Sequence, residues 1–250
     1  MGAVEMLSVD SISFSYGAVP VVSNVSFEVR SGEVVVIMGP SGSGKSTLFR
    51  IITGLQVPDQ GECRFLGQPI HGVARGMFLG FQDYDGFPWH TVSSNIAISR
   101  QMAVGQRPSA MEIKEIAERV GLNDSLSKYP SELSGGMRKR LAFARCIASN
   151  AKLVILDEPF SSLDSSSRRE LQLLTGEVVA ATACGVLMCT HDAHEAALVA
   201  HRVLVCSGRP LSIRRTVDIQ YPAPTEADPA GYEAIEQTAH KLIRELARPP

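Results

Sequence analysis

No apolar stretch in this chain approaches the roughly 20 residues that a membrane-crossing helix needs. The most apolar segment, Val178 to Cys189, has 12 residues and is broken by Thr182 and Gly185. A surplus of either charge is also missing: 24 Lys and Arg stand against 26 Asp and Glu, a net charge of -2. Without a strong field to draw the chain to nucleic acid or anionic lipid, no nucleic-acid partner is expected. The five cysteines (Cys63, Cys146, Cys184, Cys189, Cys206) are scattered, odd in number and without CxxC spacing. That usage suits buried, structural thiols in a reducing compartment. The N-terminus, MGAVEMLSVD, lacks a basic segment leading into an apolar stretch, and lacks the Ser or Thr of a myristoylation site. Neither a secretory signal nor a lipid anchor is expected, so the chain should stay in the cytoplasm. His191, Asp192, His194 and Glu195 lie close together, but HDAHE fits neither HExxH nor HxxEH, which excludes a zinc site of those types. Internal repeats and low-complexity tracts are absent too.

What is present is a chain of 250 residues, 44% hydrophobic, enough for a substantial core. Residues 12–16 and 25–29 alternate apolar and polar side chains, the period of half-buried antiparallel strands. Val34 to Met38, Leu153 to Leu156, Val186 to Cys189 and Val203 to Val205 are unbroken apolar runs, as expected of parallel strands covered on both faces. Leu48, Ile51, Ile52 and Leu55 recur at helical spacing straight after the first of these strands. Between Phe87 and Ala148 the pattern is helical, with Ser109 and Glu112 as a capping box before Ile113, Ile116, Ala117 and Val120. Residues 208–230 read as loop-rich, and a terminal helix follows with Ile235, Ala239, Leu242, Ile243 and Leu246 on one face. The expected fold is α/β: one domain over residues 1–250 with a parallel-sheet core, an N-terminal antiparallel β-subdomain, a helical insert at about 87–148 and a C-terminal extension from about 211.

Gly39-Pro40-Ser41-Gly42-Ser43-Gly44-Lys45-Ser46-Thr47 fits GxxxxGK[ST], after a buried strand and opening a helix. Glycines let backbone N–H groups converge on phosphate oxygens, and the helix N-terminus adds partial positive charge. Lys45 is expected to reach the β- and γ-phosphates of a nucleotide, and the Ser46 hydroxyl to ligate Mg²⁺. Leu153 to Leu156 end in Asp157 and Glu158. Alone, such a pair is a solvated strand end. Beside a phosphate loop, at the carboxyl edge of the same sheet, Asp157 can hold the Mg²⁺ shell while Glu158 polarises the attacking water.

Leu133-Ser134-Gly135-Gly136-Met137, just before an amphipathic helix, resembles the signature of ATP-binding cassette (ABC) proteins. The resemblance covers roughly residues 7–210 and implies the ABC variant of the P-loop NTPase fold. It also implies a head-to-tail homodimer that sandwiches two ATP molecules between phosphate loop and signature, with Ser134, Gly135 and Gly136 binding the partner's nucleotide. Tyr16 resembles the aromatic that stacks on adenine. Gln82 resembles the glutamine that contacts Mg²⁺ and water and senses the membrane partner. Asp164 resembles the acid coupling the two sites, and could equally cap the helix that follows. His191 resembles the switch histidine at the γ-phosphate. Lys45, Gln82, Ser134, Asp157, Glu158, Asp164 and His191 occur in the family's order.

Phe81 to Val92, with Pro88-Trp89, resembles the matching stretch of nitrate, sulfonate and taurine importers, as does Arg138-Lys139-Arg140 after the signature. Gly86-Phe87 departs from the usual paired leucines and Ser162 from the usual alanine, which leaves the solute open. The resemblance implies an ATP-hydrolysing subunit on the cytoplasmic face of the cell membrane, docking separate permease subunits through Gln82 to Trp89. An external solute-binding protein would complete such a system. The alternative is a soluble cassette ATPase without a permease, for example one serving iron-sulfur cluster assembly.

Overall fold

Twelve-residue strands with alternating burial open the chain, and short strands buried end to end form its centre. A computed structural model describes residues 4–72, 74–80, 86–161, 163–219 and 229–247. Strands β1 (Glu5–Tyr16) and β2 (Val19–Arg30) pair antiparallel, and β3 (Val34–Met38) leads into helix α1 (Lys45–Ile52). Strands β4 (Gln60–Phe65) and β5 (Gln68–Pro69) complete a four-stranded antiparallel sheet in the order β2-β1-β4-β5. Strand β6 (Met77–Gly80) precedes three helices, α2 (Val92–Val104), α3 (Ala110–Arg119) and α4 (Gly135–Ser149). Then come β7 (Leu153–Asp157), α5 (Ser165–Thr182), β8 (Gly185–Thr190), α6 (Ala193–Val199), β9 (Arg202–Cys206), β10 (Ile213–Asp218) and α7 (Pro229–Ala247). The second sheet runs β10-β9-β3-β8-β7-β6, parallel except for β10.

Strand side chains alternate between the two faces, so each buried strand feeds two cores. Val34, Val36 and Met38 join Leu156 and Met188 on the face covered by α4 to α7, where Leu141, Leu171, Ala196 and Leu242 pack. Val35 and Ile37 join Ile155 and Leu187 on the other face. There α1 contributes Leu48, Phe49, Ile51 and Ile52, and the antiparallel sheet contributes Leu7, Val9 and Ile12. Each such side chain stabilises the fold by about 1.5–3 kcal/mol relative to exposure. Helix α1 is thereby clamped between two sheets, which fixes the loop that precedes it.

The expected parallel sheet, antiparallel sheet and capping box at Ser109 and Glu112 are all present. Three expectations are corrected. Leu55 is 52% exposed and off the α1 stripe, because left-handed Gly54, at φ +75°, ends the helix, its amide donating to the Ile51 carbonyl and the Leu55 amide to the Arg50 carbonyl. The stretch read as loop contains β10, an edge strand whose Arg214 and Arg215 face solvent and whose Val217 alone is buried, so it carries no apolar run. On α7, Ile235, Ala239 and Leu242 are buried but Ile243 is 45% exposed. All five cysteines are free thiols, four buried and Cys146 half-buried.

Candidate functional site: a phosphate loop facing an acidic strand end

The loop from Gly39 to Gly44 joins β3 to α1. Gly42 and Gly44 have φ +70° and +117°, and a Cβ at Gly44 would lie 2.8 Å from the Val21 carbonyl oxygen, so glycine is required there. Gly39 packs behind the loop, where a Cβ would meet the Cys206 Cβ at 3.3 Å. No side chain caps α1 at Gly44, which leaves its first N–H groups directed at the loop. Lys45 is only 5% exposed, and its Nζ donates to the Gly39 and Pro40 carbonyls at 3.0 and 2.9 Å. The buried Ser43 hydroxyl has no hydrogen-bond partner among the described residues, an orphan polar group within the loop.

Across the sheet edge, β7 ends at Asp157, 7% exposed, and β8 at Thr190. Cys189 donates its thiol to Asp157 Oδ1 at 2.8 Å. Burial, reinforced by the Asp157 charge, pushes that thiol far up, so it stays protonated and keeps donating. Glu158 adopts φ +48°, its amide donating to the Cys189 carbonyl and its own carbonyl accepting from Ser161. This left-handed residue turns its carboxylate to within 3.4 Å of His191 Nδ1. The His191 turn is fixed from behind: Thr190 donates its hydroxyl to buried Glu195 at 2.6 Å, and Asp192 caps α6 through the amides of His194 and Glu195.

These elements enclose an open cavity of about 570 Å³, within the range of small-molecule sites. Ser41, Gly42, Gly44, Lys45, Ser46 and Thr47 form its floor, Asp157 and Glu158 one wall, and Tyr16 another. Tyr16 is 50% exposed, its ring edge-on to Phe14 at 4.9 Å, so it is presented to the cavity instead of packed away. Gly39 and His191 adjoin the cavity without lining it.

The remaining expected site residues lie elsewhere. Ser134 caps α4 by accepting from the Met137 amide, and Ser134 and Gly135 are exposed to solvent, with Gly136 half-buried, off the cavity. Asp164 caps α5 by accepting from the Ser167 amide at 2.9 Å, and that bond holds its carboxyl below the usual range. Gln82 lies outside the described residues. Two participants carried no recognisable sequence signal. Arg209 lines the cavity and donates its Nε to the Gly42 carbonyl, and Cys189 supports Asp157.

A second surface lies beside Gly86 to Trp89. Fully buried Asn95 accepts from the Phe87 amide at 2.7 Å and donates to the Phe87 and His90 carbonyls. Arg145 stacks over the Phe87 ring at 4.9 Å. Trp89 is left 69% exposed, and a cavity of about 400 Å³ opens nearby between Arg75, Phe78, Phe87, Met102 and Arg145.

Comparison with known proteins agrees with this arrangement. The sequence model of the ABC transporter family matches residues 22–161, a span that includes the phosphate loop, Ser134 to Gly136 and the acidic pair. The nitrate import ATP-binding protein NrtD of Synechocystis sp. is 36% identical over 211 residues, 84% of this chain and 79% of that one. The taurine import ATP-binding protein TauB of Escherichia coli is 34% identical over 206 residues, 82% of this chain and 81% of that one. Other relatives are named as sulfate/thiosulfate and aliphatic sulfonate import ATP-binding proteins. A solved dimeric structure of an ATP-binding cassette in a post-hydrolysis state, bound to ADP and Pi, superposes with a TM-score of 0.74 at 26% identity, covering 86% of this chain and all of that one. With the phosphate loop, the acidic strand end and these matches in accord, the chain belongs to the ABC transporter family.

Proposed function

We propose that this chain binds and hydrolyses ATP, and thereby energises import of a small solute, an anion such as nitrate or a sulfonate or else taurine, through separate membrane-spanning subunits. The observation that carries the reading is the meeting, in one cavity, of Lys45, Ser46, Asp157 and Glu158. Tyr16 stands ready for the adenine ring, and the loop's N–H groups with Lys45 for the phosphates. Lys45 exchanges the Gly39 and Pro40 carbonyls for β- and γ-phosphate oxygens. Glu158 accepts the proton of the water that attacks the γ-phosphorus, as the bond to the β-phosphate oxygen breaks and ADP leaves. His191, 3.4 Å from Glu158, adjoins the γ-phosphate.

Buried Asp157 accepts from a thiol and forms no ion pair among the described residues, a donor arrangement with room for a cation. Mg²⁺ held by Ser46, Asp157 and Gln82 would neutralise phosphate charge there.

Ser134 and Gly135 form an anion-ready helix N-terminus that faces away from the chain's own cavity. A second copy, head to tail, gives that N-terminus its nucleotide, with Asp164 at the junction between the two sites. Exposed Trp89 and the adjoining groove form the face toward the permease. ATP-driven closure of the dimer then moves the three inserted helices and the permease segments docked on them, and hydrolysis reopens it. Among the described residues no helix is long and apolar enough to cross a membrane. Steady-state turnover of MgATP by the purified chain tests the enzyme, and co-purification from detergent-solubilised membranes tests the importer. Absence of turnover would refute the first, and a chain that never associates with a multi-span subunit would refute the second.

A further inference from the structure

We infer that Arg209 is a positioning residue of the phosphate loop, holding the peptide between Gly42 and Ser43 in the orientation that receives phosphate. Arg209 comes from outside the strand-loop-helix unit that it contacts. It sits in the turn between β9 and β10, and that turn is braced. Ser207 donates its amide to the Ser212 carbonyl and its hydroxyl to the Pro210 carbonyl, both at 2.9 Å. Fully buried Leu211 is tied to β2, its amide donating to the Val21 carbonyl at 2.8 Å and its carbonyl accepting from the Ser23 amide at 2.9 Å. The guanidinium is therefore delivered by a fixed bracket, not by a free loop.

On the phosphate loop it donates Nε to the Gly42 carbonyl, and its Nη2 lies 3.0 Å from where a Cβ at Gly42 would be. The N–H of the same peptide donates to the Pro40 carbonyl at 3.3 Å. Both ends of the Gly42–Ser43 peptide are thus held, one by Arg209 and one by Pro40. Lys45 takes the Gly39 and Pro40 carbonyls. Arg209 thus occupies a carbonyl oxygen that would repel a polyphosphate if it turned inward, and keeps it when Lys45 leaves its two carbonyls for the phosphates. Gly42, at φ +70° and with no side chain to brace it, is the point where the loop would otherwise flip.

This inference rests on the nucleotide reading of the site, and the test separates the two. Titration calorimetry of MgATP and MgADP into wild type, Arg209→Ala and Arg209→Lys is paired with thermal melting of each ligand-free chain. Arg209→Ala should weaken both nucleotides about tenfold, the lower range for loss of a charge-assisted hydrogen bond at an exposed site. Saturating turnover should stay within about twofold, as for a residue that acts through the Gly42 carbonyl. Arg209→Lys, or millimolar ethylguanidinium added to Arg209→Ala, should recover most of the affinity, and the ligand-free melting temperature should hardly move. Unchanged affinity in Arg209→Ala would overturn the inference, as would a loss that follows a lowered melting temperature and resists rescue. A wild-type chain that binds no nucleotide would instead undo the proposed function.

Discussion

Replacing Gly44 by alanine should damage the site by two separable routes. The first is conformational: φ +117° lies outside the regions open to residues with a Cβ, at a cost of about 1–3 kcal/mol. The second is steric: the added methyl would sit 2.8 Å from the Val21 carbonyl oxygen and 3.0 Å from Val21 Cγ1, an overlap that displaces backbone at a cost of about 1–3 kcal/mol. Reduced unfolded-state entropy returns about 0.4–1 kcal/mol, so the net loss lies in the range of about 1–6 kcal/mol, centred near 3. For a chain of this size that central loss lowers the melting temperature by about 5–12 °C. Gly67 is the control, with φ +74° and nothing among the described residues within 4 Å of its absent Cβ, so Gly67→Ala carries only the milder left-handed cost and no overlap. Circular-dichroism melts of both variants, with and without MgATP, measure what the overlap and the more strained φ add at Gly44. Gly44→Ala should lose both stability and the upward shift that nucleotide gives to wild type. Equal melting temperatures for the two variants, with the nucleotide shift intact, would refute the reasoning.

Asn95→Ala should loosen the 86–91 segment by removing the side chain that accepts from the Phe87 amide and donates to the Phe87 carbonyl. Hydrogen exchange at the Phe87 amide should rise about tenfold or more, as expected for a buried bond worth about 1.5 kcal/mol, with nucleotide affinity unchanged. A Phe87 amide that stays protected would contradict this. Glu195 is pushed above its ordinary pKa chiefly by burial, so the fold retains a proton that the unfolded chain releases. The associated stability is present below pH 4.5 and lost as pH rises through the raised value. Glu195→Gln should flatten the decline in urea midpoint as pH rises above 4.5, and an unchanged slope would remove Glu195 as its source.

Sequence alone revealed the parts of this protein that are local. The phosphate loop and the Asp157-Glu158 pair are contiguous motifs, and β3, β7, β8 and β9 are buried on both faces, so they read as apolar runs. β10 escaped because an edge strand facing water can be rich in arginine, and β6 because four residues are too few for a period. Leu55 fits the helical stripe by its spacing, but left-handed Gly54 ends the helix before it. At the site, what stayed hidden are contacts between distant segments. Cys189 reaches Asp157 across a neighbouring strand, and Arg209 reaches Gly42 from beyond β9. The exposure of Ser134, with no phosphate loop of its own to face, is likewise a property of the folded chain.

In the proposed function two copies share ATP and Glu158 activates water. Sedimentation of Glu158→Gln in MgATP, beside its turnover, tests it most directly. ATP should bind at near wild-type strength, turnover should fall by about 10²–10⁴-fold, and a stable dimer of twice the 26.9 kDa chain should form. A variant that remains monomeric and hydrolyses ATP at the wild-type rate would contradict it.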